Sequence, residues 1–346
     1  MRITKNKEEN AMVRIKDIAK TCGVSTATVS YVLHGKYEKV SKEVRERIEA
    51  EIAESGYITN QSAINLVSRC SGLIGVAVMD SSDKKDIMGD PYFSILFSYL
   101  EKEFRKRDKY ILIILDQSPE RVVKDALRWN LDGLILSNYT KEAMIAISQE
   151  FVKPIVTIDA AFVYEYDKLV QVFIDDYDGG YKIGNYLASI GHTNVAMVDD
   201  NDEEDTRHRW RGFRQSYIDN GIEIDESSHF IIDMKSEELQ EGLDRIYPEL
   251  IEKTAVFCIS DFYALRVIKY LNEHGKKVPE DISVTGFDDI FFSKLSIPEL
   301  TTIRQNVQQK AESAVDSMMK MIKNKPVEHN IKLPVELVVR ESCKKL

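Results

Sequence analysis

Apolar residues recur in this chain at two different spacings, and the change falls near residue 70. Before it the period is helical. Val24, Val29 and Val32 form one stripe, and Val44, Ile48 and Ile52 form another behind Ser41. The stretch from Ile15 to Leu33 reads as two short helices joined by a tight turn. Ala19 lets the helices cross closely, and Gly23 supplies the positive backbone angle that such a turn needs. Ser25 stands where an N-cap accepts from first-turn amides. Ser41 caps a third helix, which Gly56 stops. From Leu73 onward, continuous apolar runs such as LIGVAVM, YILIIL, GLIL and PIVTID alternate with amphipathic helical stretches, and a second such run begins near Leu169. That rhythm predicts an α/β class: two doubly wound parallel lobes with a ligand cleft at the carboxyl ends of the strands.

The second helix of the head turns Thr26, Ala27, Thr28, Ser30 and Tyr31 outward, short polar groups and one aromatic that suit the DNA major groove. An ordinary helical hairpin inside a core remains open at this point. Charge favours DNA. The chain of 346 residues carries a net charge of -10, yet its first 71 residues have a small basic excess and the remainder is acidic. A basic head on an acidic body holds DNA at one end only. Cys22, Cys70, Cys258 and Cys343 form no CxxC pair, so neither a disulfide framework nor a zinc site is expected, and a reducing cytoplasm is the expected home. The charged start MRITKNKEENAM lacks the apolar middle of a signal peptide, and no apolar run is long enough for a membrane span.

Taken together, IKDIAKTCGVSTATVSYVL, GYITN, LIGVAV, DPYF, DGLIL, GYKIGNYLASIGH, RWRGF, VPEDISVTGFDD and PELTTIRQ resemble the lactose-repressor (LacI/GalR) family of bacterial transcription regulators. The resemblance spans Val13 to Ser342. It implies a three-helix helix-turn-helix head with a hinge helix, followed by a periplasmic-binding-protein-like sensor. The corresponding divisions are a lead-in at 1–12, the head at 13–59, a hinge at 60–71 and the sensor at 72–346. Lobe 1 would hold about 72–172 and 304–334, and lobe 2 about 173–303 and 335–346. In such a head Thr26, Ala27 and Tyr31 read bases, while Thr28 and Ser30 hold phosphates. None of these offers a bidentate pairing to a base. In the hinge, Leu66 matches a minor-groove wedge, with Ala63 on the same face.

For the sensor, the resemblance implies a small effector, a polyol, nucleobase or sugar, with a sugar or related polyol expected. Arg209 in RWRGF matches an arginine that forks onto ligand oxygens. Asp288 and Asp159 match acceptors of ligand hydroxyls, Ser260 and Asp261 end a cleft strand, and Tyr92 and Phe93 offer an aromatic face. A rival reading pairs Arg209 with Asp288 as a structural bridge. No catalytic signature, cofactor motif or metal-spaced histidine pair is visible. The acidic run Asp199–Asp205 reads as a solvated loop, His192 as a helix cap, and Trp129 and Trp210 as packing. The expected protein is thus a dimeric, effector-responsive repressor of a pseudo-palindromic operator, without cofactor, metal, membrane partner or enzymatic activity. The ending ESCKKL lacks a heptad tail, so a dimer is expected over a tetramer. Rival classes are a regulator controlled by a phosphocarrier protein and an enzyme or transport-binding protein on the same sensor fold.

Overall fold

The computed structural model describes residues 13–33, 35–57, 70–79, 87–116, 118–160, 166–200, 207–232 and 238–346. The expected hinge, with Ala63 and Leu66, lies outside them, as does most of the acidic run. The chain divides into two compact units, residues 1–69 and 70–346.

In the first unit, α1 (Ile15–Thr21), α2 (Thr26–Leu33) and α3 (Lys42–Ser55) enclose a small core. Ile18, Val29 and Ile48 meet there with no exposed surface, and Ala19, Cys22 and Val32 close around them. Gly23 adopts φ +63° at the turn, and Gly56 adopts φ +65° where α3 ends. The Ser25 hydroxyl accepts from the Thr28 amide at 3.1 Å, and the Ser41 hydroxyl accepts from the Val44 amide at 3.4 Å.

The second unit holds two parallel sheets of six strands each. In the first, β1 (Leu73–Val78), β2 (Tyr110–Leu115), β3 (Gly133–Ser137), β4 (Ile155–Ile158), β5 (Leu169–Ile174) and β11 (Asn330–Leu333) run in the order β11-β5-β4-β3-β1-β2. The second contains β6 (Val195–Asp199), β7 (His229–Ile231), β8 (Ala255–Cys258), β9 (Ser283–Asp288), β10 (Thr301–Gln305) and β12 (Val335–Val338), in the order β12-β10-β9-β8-β6-β7. Among the described residues, all the pairings are parallel except β10 with β12.

Helices α4 (Pro91–Arg105), α5 (Pro119–Arg128), α6 (Lys141–Glu150) and α11 (Val307–Ile322) cover lobe 1. Helices α7 (Asp176–Ser189), α8 (His208–Asp219), α9 (Glu238–Leu250) and α10 (Asp261–Glu273) cover lobe 2. The chain passes between lobes after Ile174, after Gln305 and after Leu333, so the last long helix returns to lobe 1. Side-chain caps start most of these helices: Asp90 accepts from the Tyr92 amide at 2.8 Å, and Asn306 from the Gln309 amide at 2.9 Å.

Strand β7 and helix α9 have no counterpart in the sequence reading. Strand β7 has only three residues. Helix α9 did carry a signal, since Leu239, Leu243, Ile246 and Leu250 recur at helical spacing and are buried. His192 caps the preceding helix as expected, but through its backbone, the amide donating to the Leu187 carbonyl at 3.0 Å. Gly191, at φ +101°, turns the ring inward, where Nε2 lies 2.9 Å from the Lys344 carbonyl and 3.2 Å from the Ser283 hydroxyl. It therefore ties the C-terminal segment to lobe 2. Trp210 is buried, but Trp129 is more than half exposed.

Candidate functional site

On the head, α2 presents Ser25, Thr26 and Ala27 to solvent, with Thr28, Ser30 and Tyr31 half-buried beside them. Val29 and Val32 occupy the opposite face, so the core fixes which residues point outward. The Thr28 hydroxyl is already bonded to the Ser25 hydroxyl at 2.9 Å. Lys39 brings its ammonium to 5.0 Å from the centre of the Tyr31 ring, which places a positive charge beside the one aromatic on the reading face.

Between the lobes lies a cavity of about 540 Å³ at the carboxyl ends of the strands. Tyr92, Phe93, Asp159, Arg209, Ser260 and Asp288 all line it. Three acids and amides reach it through unusual backbone. Asn138 after β3 (φ +62°), Asp159 after β4 (φ +55°) and Asp288 ending β9 (φ +116°) all hold positive φ. Asn and Asp tolerate that region better than most residues, and such conformations cluster at ligand sites.

Arg209 owes its place to two glycines. A Cβ on Gly180 would meet the Arg209 carbonyl oxygen at 2.0 Å, and one on Gly212 would meet the Tyr177 carbonyl oxygen at 1.9 Å. Only glycine therefore lets α7 and α8 approach this closely. The Arg209 Nε donates to Asp176 Oδ1 at 2.7 Å, one NH group donates to the Ile259 carbonyl at 2.5 Å, and the guanidinium lies 3.6 Å from the Phe287 ring centre. Burial disfavours its charge, but the Asp176 and Asp288 carboxylates outweigh that and hold its pKa above the usual value. The salt-bridge partner is thus Asp176 of the same lobe, and the Arg209–Asp288 pair of the rival reading is not formed.

Asp261 is the exception among the expected contacts. It has no exposed surface and does not line the cavity. Its carboxylate accepts from the Ile290 amide at 2.9 Å, the Ser293 hydroxyl at 2.6 Å and the Thr302 hydroxyl. Ser260 faces the cavity as the cap of α10, and the next residue turns under β9 instead. Asp261 supports the cavity wall rather than contacting a ligand.

A hydrogen-bonded chain that sequence reasoning missed runs beneath the cavity. The Tyr92 hydroxyl donates to Asp159. The Lys310 ammonium donates to both Asp159 oxygens at 2.7 and 2.6 Å, to the Tyr92 oxygen at 3.0 Å and to the Gln305 side-chain oxygen. The Gln305 amide donates to Asp288 at 2.6 Å. Burial, followed by the charge of Asp159, raises the Tyr92 pKa well above the phenol range, so the hydroxyl stays a donor. Burial also raises the Asp288 pKa, with Arg209 opposing.

Comparison with known proteins fixes the family. Residues 14–60 match the model for bacterial regulatory proteins of the lacI family, and residues 185–343 match the periplasmic binding protein-like domain. The HTH-type transcriptional repressor PurR of Histophilus somni is 31% identical over 97% of this chain and 100% of its own length. The chain belongs to the lacI family. It is a DNA-binding transcriptional regulator and not an enzyme. A lac repressor dimer, solved bound to operator and the anti-inducer ONPF, superposes on this lacI-family chain with a TM-score of 0.82. That structure is 25% identical, over 96% of this chain and 99% of its own. A lacI-family regulator from Enterococcus faecium with bound ribose has a TM-score of 0.67 at 25% identity, covering 79% of this chain and 99% of its own.

Proposed function

We propose that this regulator binds a neutral sugar or related polyol in the interlobe cavity and that this binding alters its hold on a pseudo-palindromic operator. The charge and donor pattern of the cavity carry the reading. The carboxylates of Asp90, Asp159, Asp175 and Asp176 line it against Arg209 and Lys332, and Lys310 lies beneath. That acidic excess opposes a phosphorylated ligand. Hydroxyls, in contrast, can donate to Asp159 and Asp288 and accept from Arg209. The E. faecium relative with bound ribose supports the same class.

A nucleobase is the second reading, favoured by the Tyr92, Phe173 and Phe262 rings on the cavity wall, which could stack on a planar heterocycle. A thermal-shift screen of neutral sugars, sugar phosphates and nucleobases separates the two. A ligand at 100 times its Kd stabilises the folded chain by about 2.7 kcal/mol, worth several degrees in melting temperature. A shift with a neutral sugar is expected. A shift with nucleobases alone would transfer the assignment to the second reading, and stabilisation by sugar phosphates alone would contradict both.

On the DNA side, Thr26, Ala27 and Tyr31 of α2 contact bases, and Thr28 and Ser30 contact phosphates. We assign the operator-binding form as a homodimer. Phe291, Phe292, Leu295 and Ile297 of lobe 2 form an apolar patch in which Phe291 is 64% and Ile297 is 91% exposed, an exposure that association would relieve.

A further inference from the structure

We propose that Lys310 is an interlobe pin, a positioning residue whose ammonium sets the angle between the lobes across the cavity floor. Lys310 belongs to α11, which packs on α4 and the first sheet, and it has no exposed surface. An ammonium has three donors. Here they are spent on Asp159 and Tyr92 of lobe 1 and on Gln305, the last residue of β10 in lobe 2. The bond to Gln305 spans the crossing at Asn306, where the chain passes from one lobe to the other. It also fixes which end of the amide faces which partner. With its oxygen taken by Lys310, the Gln305 nitrogen must face Asp288, the carboxyl at the end of β9.

The chain Tyr92–Asp159–Lys310–Gln305–Asp288 therefore joins the ligand-facing groups of both lobes through one buried cation. A buried cation holds its acceptors far more firmly than an exposed one, because losing any of them leaves a buried charge unsatisfied. A ligand hydroxyl that binds Asp288 or Asp159 must bond to groups the pin already orients. Effector binding and lobe angle are thus read through the same five side chains. This inference does not depend on which effector the cavity takes.

The test measures lobe separation in the full-length chain without ligand. Spin labels are placed on cysteines introduced by Glu142→Cys in lobe 1 and Lys269→Cys in lobe 2, both exposed positions, with Cys70→Ser removing the exposed native thiol. Labelled chain is diluted into excess unlabelled chain, so that distances within one protomer dominate. Lys310→Met is expected to broaden the interlobe distribution and shift it from the parent value. Gln305→Leu, which cuts only the lobe 2 end of the pin, is expected to give the same shift, and the double variant no larger one. Tyr92→Phe, which leaves the Lys310–Gln305 bond intact, is expected to retain the parent distribution. If Gln305→Leu keeps the parent distribution, the pin is refuted, and that holds even should Lys310→Met fail to fold.

Discussion

Arg209 and Asp261 show how differently two charged residues of one cleft act. Arg209 lines the cavity, so Arg209→Ala is expected to abolish the thermal shift given by the effector while operator affinity without effector stays within about twofold. An undiminished shift would remove Arg209 from the site. Asp261 acts through pH. Burial, ahead of every other influence, raises its pKa in the folded chain. The folded state therefore keeps a proton that the unfolded chain releases. That contribution is complete below the ordinary aspartate pKa of about 4 and is lost as pH rises through the raised value. Asp261→Asn should flatten the fall of sensor stability between pH 4 and the neutral range by up to about 1.4 kcal/mol per pH unit, measured by urea unfolding across pH. An unaltered slope would contradict this. That Tyr92, Phe93, Asp159, Arg209, Ser260 and Asp288 line the cleft was legible because their motifs end strands or open helices there. Asp261 was misassigned because side chains at the cap and first helical positions diverge. Lys310 left a trace that went unread, a lysine on the same stripe as Val307, Ala311 and Ala314.

Among the elements, helix crossings and caps do the positioning. Gly180 sits where a methyl group would strike the Arg209 backbone. Gly180→Ala should force α7 and α8 apart, lower sensor stability by about 1–3 kcal/mol and weaken effector binding at least tenfold by isothermal titration. Full affinity in that variant would show that Arg209 does not depend on this crossing. In the head, Ser25→Ala removes the cap of α2 and should cost about 1 kcal/mol in a denaturant melt of the head. The order of strands and helices was largely legible, since buried parallel strands read as unbroken apolar runs. Strand β7 escaped because three residues show no period. Helix α9 escaped although its apolar spacing was present, with Pro248 inside it weakening a helical reading.

At the scale of the molecule, a head with a helix-turn-helix and an acidic two-lobed sensor make one regulator. The apolar patch around Ile297 predicts a self-associating sensor, so Ile297→Asp should shift sedimentation from dimer toward monomer at micromolar concentration. A wild-type profile in that variant would move the interface elsewhere. The partition of charge between head and body was legible in the sequence, whereas the interlobe hydrogen-bond chain was not, because it joins residues from 92 to 310 that only the fold brings together. In the proposed mechanism, occupancy of the cleft controls hold on DNA. This control is tested most directly by fluorescence anisotropy on an operator selected with the purified protein, titrating the sugar identified by thermal shift into the wild type and Arg209→Ala. Operator affinity should change at least tenfold for the wild type and not at all for the variant. Equal responses of the two proteins, or no response of the wild type at saturating sugar, would contradict it.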